Sequence, residues 1–596
     1  MKVFEANITH QVSDFLKDNL KKIASFGKAN QKMYNAFGIN QFFDNDEEFE
    51  TLREVLSITT TIMEEPDRAE YGDFQTNSDL ANKVTLHLAS KNISPEVVIE
   101  PTCGKGNFII ASLRNFKNIK NILGVEIYKP YVWEAKFNVV DFFLSNPNSN
   151  KPEISIVHCN VFDFDFKAIA KKFYTNDILV IGNPPWVTNS KLGSLNSTNL
   201  PKKTNFKNHS GLDAMTGKGN FDIAEFITMT MIETFQTMKG HLLLLVKNAV
   251  IKNIVFDQNK NRYKISSIEK HCIDSKKEFN VSVEAALFYC KLNSPPTLNC
   301  TEFDFYNTQK SQLKFGWLND KFVSNIDTYI HSKEIDGECA FVWRQGLKHD
   351  CSTVMELDKV KACHDTGGGH YVNGLNEEVK LEDGLVYGIL KSSDLKNAVI
   401  NKTRKFTIVT QKKVGQDTKY IKTQYPKTYQ YLIQHQANFD ARKSSIYNNK
   451  PLFSIFGIGD YSFKPFKVAI SGLYKTLHFT LVLPQENKPV MLDDTCYLIG
   501  FDKIEFAVYT LILLNSETTF QFLQSVTFSD AKRRFTKDVL MRIDLLELAK
   551  QIDKTDLQTE LETLNKKYKF NLTLGLWDNF INEMTPISNG QIAMFV

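Results

Sequence analysis

Two patterns of hydrophobic and polar positions run along the chain, and each predicts a different kind of element. Near the start, FEANITHQVSDFLKDNLKKIASF places Phe4, Ile8, Val12, Phe15, Leu16 and Leu20 at helical spacing. Residues 1–70 are therefore expected to form a helical segment that caps the domain after it. From 71 to 295, short apolar runs alternate with helical stretches: EVVIE, FIIASLRNF, NILGVEI, EISIVH, DILVIGNPPW and GHLLLLVK. Strands alternating with helices predict an α/β domain built on a mainly parallel sheet. A later run, SVEAALFYCKL, follows no clear helix and is suited to antiparallel pairing. Residues 187–221 interrupt the pattern with Asn, Ser, Gly and Lys, as functional or disordered loops do. From 296 to 545 the sequence is irregular and rich in Tyr, Phe, Lys, Asn and Gly, which reads as a second, mixed α+β domain. Residues 546–596, with DKTDLQTELETLNKKY, read as a helical tail.

Composition changes this picture little. A chain of 596 residues is too long for one core. Its 72 basic and 68 acidic residues nearly cancel, so local charge must decide whether nucleic acid is a partner. Nine cysteines without a C-x-x-C pair suggest reduced thiols in a cytoplasmic protein. Cys363 and His364 lack further ligands at zinc-like spacing, so no metal is expected. The N-terminus does not read as a signal peptide and no run is long enough to span a membrane. A monomer is expected.

Candidate chemistry begins at EVVIEPTCGKGNFIIASL, where the strand Val97–Ile99 runs into Gly104-Lys105-Gly106 and a helix opens near Asn107. The glycines permit a sharp turn and close approach to a ligand, and the helix start offers free N–H groups. Such a loop is shared by dinucleotide enzymes, but Ile109 stands where their third glycine would be. GVEI then puts Glu126 at the end of the next strand, where a carboxylate accepts from both ribose hydroxyls. These two details favour S-adenosylmethionine. In DILVIGNPPW, the strand Ile178–Ile181 ends in Gly182-Asn183-Pro184-Pro185-Trp186. Consecutive prolines stop a strand and stiffen it at the sheet edge where α/β folds bind ligands. An exocyclic amine on an aromatic ring is a poor nucleophile because its lone pair is delocalised. Two fixed acceptors, the Asn183 side-chain oxygen and the Pro184 carbonyl, suit the task of drawing that nitrogen toward tetrahedral geometry. Trp186 offers a face for stacking an extruded base.

In this order, the motifs resemble those of the gamma class of amino-DNA methyltransferases. The resemblance implies a Rossmann-like S-adenosylmethionine-dependent domain followed by a target-recognition domain. GDFQT (Gly72–Thr76) resembles the family's leading motif, which helps hold the methionine end of the cofactor through Phe74 and Thr76; Asn77 replaces the usual proline. EPTCGKGNF resembles the acidic-Pro-x-x-Gly-x-Gly loop, which implies cofactor contacts from Glu100, Pro101, Cys103, Gly104 and Gly106. Glu126 matches the ribose-binding acid. Asn183, Pro184, Pro185 and Trp186 match the catalytic motif, with Asn183 also beside the cofactor. The family carries an acidic residue after the third strand for the cofactor's adenine; HCNVFDF offers Asn160 or Asp163, and spacing favours Asn160. Phe279 resembles the aromatic residue on the other face of the flipped base.

The resemblance implies a site-specific methyltransferase acting on N6 of a flipped-out adenine in double-stranded DNA. Restriction–modification, phage defence or epigenetic regulation would be its setting, and a cognate restriction endonuclease or defence subunits its partners. RNA bases and protein glutamine amides are alternative acceptors, since the tetrapeptide reads a planar NH2. A different class of reading is a DNA-binding specificity module with a structural methyltransferase fold. Cytosine C5 chemistry needs a Pro-Cys nucleophile, and no cysteine here follows a proline. Between Asn401 and Lys475 there are fourteen basic residues against three acidic ones. Lys412, Lys413, Arg442 and Lys443 in that stretch, Arg344 in VWRQGLKHD, and Lys202 and Lys203 in the polar loop are the candidate DNA contacts.

Overall fold

The computed structural model describes residues 6–57, 75–187, 222–360, 369–473, 477–528 and 533–585, with the backbone alone at 308–312. The chain divides into two compact units, Met1–Phe322 and Val323–Val596.

The first unit opens with helices α1 (His10–Leu20) and α2 (Phe26–Phe37), a short strand β1 (Ile39–Asn40) and α3 (Asp46–Ser57). Val12, Leu16 and Leu20 form the buried stripe of α1, as their spacing predicts, but the helix starts at His10 because Thr9 caps it. Ile8 precedes the helix and is exposed, and Phe4 lies outside the described residues. The α/β part follows: α4 (Ser78–Ser90), β2 (Val97–Glu100), α5 (Asn107–Asn115), β3 (Asn121–Glu126), α6 (Lys129–Ser145), β4 (Glu153–His158), α7 (Phe166–Lys172) and β5 (Ile178–Gly182). Then come α8 (Ile223–Phe235), β6 (Gly240–Lys247), α9 (Asn248–Asn261), β7 (Ile265–Cys272), α10 (Ser275–Phe279) and β8 (Ala285–Leu292). Strands β9 (Asn299–Asp304), β10 (Asn307–Leu318) and β11 (Lys321–Val323) complete it.

All eleven strands form one sheet in the order β1-β4-β3-β2-β5-β6-β8-β7-β9-β10-β11. From β1 to β6 neighbours are parallel, whereas β8 pairs antiparallel with both β6 and β7. SVEAALFYCKL thus takes the antiparallel place its pattern suited. Strands β2 and β5 are buried along their whole length, the signature of a sheet covered on both faces. The order reverses between β2 and β5, which makes their carboxyl ends a topological switch point, where open α/β sheets bind ligands.

The segment between β1 and α3 packs on α6. Helix α6 is buried on nearly every face. The Trp133 ring lies 5.6 Å from Phe42 and 5.7 Å from Phe43. The buried Lys136 ammonium donates to the carbonyls of Gln41 (3.1 Å) and Phe42 (2.9 Å). The expected boundary at 295 and the unit's limit at 322 differ because β9 pairs parallel with β7 and β10 pairs with β9, which extends the first sheet.

The second unit holds two further sheets. Five strands run in the spatial order Arg344–Gln345, Cys496–Phe501, Phe466–Ser471, Phe479–Val482, Val399–Ile400. Six run in the order Glu378–Leu381, Gly369–Asn373, Glu356–Lys359, Lys405–Ile408, Val386–Leu390, Met491–Leu492. Mixed sheets with segregated helices fit the α+β expectation. The C-terminal helices Leu545–Gln551, Lys554–Tyr568 and Trp577–Met584 belong to this unit's core: Tyr509 lies 5.3 Å from Trp577 and 5.6 Å from Phe580. Among the described residues, no helix is long and apolar enough to cross a membrane.

Candidate active site

A cleft of about 900 Å³, open to solvent, lies at the switch point. Its lining includes Thr76, Glu100, Pro101, Cys103, Gly104, Glu126, Asn160, Asn183, Pro184 and Pro185. Residues from five separate motifs therefore meet in one place.

The floor of the cleft is the turn after β2. Gly104 and Gly106 have φ of +51° and +79°, values that side chains with a Cβ rarely adopt. A Cβ on Gly106 would come within 3.1 Å of the Ala135 Cβ on α6. Gly106 also caps α5, so the turn and the helix start are one device. Glu126, at the end of β3, is buried and accepts from the Gly104 amide with one oxygen and from the Tyr128 amide with the other, each at 2.8 Å. This carboxylate fixes the glycine turn besides facing the cleft.

The segment before α4 is stitched to the same turn. The Asn107 side chain donates to the Thr76 carbonyl (2.7 Å), and the Lys105 amide donates to Gln75 Oε1 (3.3 Å). Asn77, in the place of the family's proline, caps α4 by accepting from the Leu80 amide at 2.7 Å, which accounts for the substitution. Gln75, Asn107, Tyr128 and Tyr131 were missed by sequence reasoning although all line the cleft; Asn107 directly follows the glycine turn, and that position was the available signal. Phe74 lies outside the described residues.

Two buried groups on the cleft wall, Thr76 Oγ1 and Glu100 Oε2, make no hydrogen bond within the protein. Burial, with the Glu126 charge nearby, pushes the Glu100 carboxyl well above the usual carboxylate range. Burial, with Glu100 and Glu126 nearby, likewise pushes the Cys103 thiol up, so it stays protonated. Asn160 faces the cleft, with its Oδ1 accepting the Phe162 amide at 3.0 Å. Asp163 is exposed and does not line it.

The Asn183–Pro185 backbone closes the opposite wall at the end of β5, and the Thr102 hydroxyl donates to the Asn183 carbonyl at 3.4 Å. Trp186 is buried, and its indole N–H donates to the Leu245 carbonyl at 3.2 Å. The Trp186 and Phe279 rings meet edge to face, 5.1 Å apart at 64°. The two aromatic residues named for base stacking are thus neighbours, in contact with each other.

The candidate DNA contacts divide. Lys412, Lys413, Lys443 and Arg344 are exposed. Arg442 is committed to the protein: it donates to the carbonyls of Ser454 (2.7 Å), Phe439 (3.0 Å) and His349 (3.3 Å) and stacks 3.7 Å from the Tyr447 ring centroid. Lys467, within the same basic stretch, is buried. Lys202, Lys203, Cys363 and His364 lie outside the described residues.

A Rossmann-like sheet with a glycine turn, a strand-end carboxylate and Asn183-Pro184-Pro185 around one switch-point cleft defines a methyltransferase. No family model matches the chain. It is 39% identical over 490 residues to the Type II methyltransferase M.NspV of Nostoc sp. (strain ATCC 29411 / PCC 7524), covering 82% of this chain and 99% of that one. In fold it is similar to the Type IIL restriction-modification enzyme MmeI, solved in complex with DNA, with a TM-score of 0.52 at 13% identity over 96% of this chain and 86% of that one. The chain belongs to the Type II methyltransferases. With that membership the expected cofactor, S-adenosylmethionine, stands. The cleft fits it: Thr76 Oγ1 and Glu100 Oε2 are buried polar atoms awaiting partners in the cleft that Gly104 also lines.

Proposed function

We propose that this protein transfers the methyl group of S-adenosylmethionine to N6 of an adenine flipped out of double-stranded DNA. The observation that carries the reading is that Asn183, Pro184 and Pro185 line the same cleft as Gly104 and Glu126. Thr76, Glu100, Cys103, Gly104, Glu126 and Asn160 would hold the cofactor. When bound there, S-adenosylmethionine supplies an electrophilic methyl group on a sulfonium.

The chain's own residues bind, orient and polarise. The Asn183 side-chain oxygen and the Pro184 carbonyl accept the two amine hydrogens, which localises the nitrogen lone pair. Pro184 and Pro185 have fixed φ, so the acceptors are in place before the base arrives and cost no reorganisation. Positioning a polarised amine beside a strong electrophile supplies most of the rate. Trp186 is tethered through its indole N–H, so its ring is a fixed platform. A base stacked on it requires Phe279 to move from its edge contact.

The second unit supplies recognition in this reading. Exposed Lys412, Lys413 and Lys443 suit phosphate contacts, and the likeness to an enzyme solved with DNA favours a duplex over RNA or protein. Acceptor competition tests the choice. With labelled cofactor, unmethylated duplex DNA is expected to take up label while tRNA and a glutamine peptide do not compete. Label in tRNA or peptide, with DNA unlabelled, overturns the reading.

A further inference from the structure

Away from the cleft, His87 on α4 and Glu269 and His271 on β7 gather in the first unit. One ligating atom from each lies within 4.8 Å of the other two. We propose that these three residues bind one divalent transition-metal ion of the zinc class. Two imidazoles and a carboxylate are a zinc donor set, with positions left for water.

Unpaired nitrogens support it independently. His87 Nε2 and His271 Nδ1 are both buried and make no hydrogen bond. His271 is 1% exposed, and its ring meets that of His87 edge-on at 4.8 Å. A buried ring nitrogen without a partner on each of two adjacent imidazoles, His271 buried and His87 half-buried, is costly unless something takes the partner's place. His271 Nε2 is already 2.8 Å from Glu269 Oε2. Phe303 stacks on His271 (5.2 Å, 17°) and Phe305 packs on His87 (5.9 Å), an apolar wall that limits solvent access.

The resident cation is Lys91, whose ammonium pairs with Glu269 and sits 4.8 Å from the Tyr289 ring centroid. Metal entry displaces this ammonium toward Tyr289 and draws the side chains in, since ligands around zinc sit roughly 3–3.5 Å apart at bond lengths of about 2.1 Å. A bound ion would tie α4, which starts just after Thr76, to β7, which leads into Phe279. No local spacing motif announces the site, because its ligands come from a helix and a strand distant in sequence.

The test uses the full-length protein, stripped with chelator and titrated with Co²⁺ and then Zn²⁺. We expect one equivalent of Co²⁺ with the visible absorption of a low-coordinate nitrogen/oxygen site, displaced by Zn²⁺. His87→Asn should weaken Zn²⁺ binding at least about tenfold. Lys91→Met, which removes a competing cation at an accessible position, should tighten it by roughly tenfold. Wild-type protein without the Co²⁺ band, or a folded His87→Asn variant that keeps it, overturns the proposal.

Discussion

In the proposed mechanism the chemistry depends on Asn183, a side chain whose neighbours leave it little freedom. Two prolines follow it, a buried strand precedes it, and Thr102 holds its carbonyl. Asn183→Ala should lower methyl transfer by about 10²–10³-fold, the usual effect of deleting one preorganised polar partner, while cofactor affinity measured by calorimetry changes little. Equal losses in both would assign the residue to cofactor binding. Lys467 makes a different residue-scale claim. Burial lowers its ammonium to about 7, and its Nζ donates to the Lys464 carbonyl at 2.6 Å. Between pH 7 and the ordinary lysine range the unfolded chain holds this proton and the folded chain does not. Stability therefore rises with pH across that window and is lost as pH falls through 7. Lys467→Met should raise stability at pH 7 and flatten the difference between pH 7 and 9 in urea titrations; an unchanged slope would contradict the assignment.

Elements carry the site by their ends. β2, β3 and β5 each deliver one motif to the same edge, and the glycine turn joins strand to helix at Gly106. Gly106→Ala forces a Cβ into a left-handed backbone and against Ala135, and should cost about 1–2 kcal/mol, read as a lower denaturation midpoint; no change would mean the turn relaxes freely. These ends were legible because each is local: EPTCGKG, GVEI and NPPW state strand, turn and helix within a few residues. Spacing favours Asn160 over Asp163; Asn160 lines the cleft and Asp163 does not. The limit of the first unit was not legible. β9 to β11 extend a sheet whose edge strand lies earlier in the chain, and composition near 296 does not report pairing partners. Arg442 likewise counts as a basic residue in the sequence, yet its guanidinium is held by Tyr447 and by carbonyls that include one from the distant His349. The His87–His271 pair was hidden for the same reason.

Over the whole molecule, the proposed function places the chemistry in the first unit and DNA reading in the second. That division predicts that Lys412→Ala with Lys413→Ala weakens duplex binding and lowers the salt slope by roughly one to two counterions, with transfer to saturating DNA nearly unchanged. Arg442→Ala should instead lower the stability of the second unit, because it leaves buried carbonyls unpaired. The central claim concerns which atom receives the methyl group. Purified protein incubated with labelled S-adenosylmethionine and unmethylated bacterial DNA, then digested to nucleosides, tests it most directly. Label in N6-methyldeoxyadenosine is the predicted result; label in N4-methyldeoxycytidine, or none in DNA while cofactor binds, contradicts it.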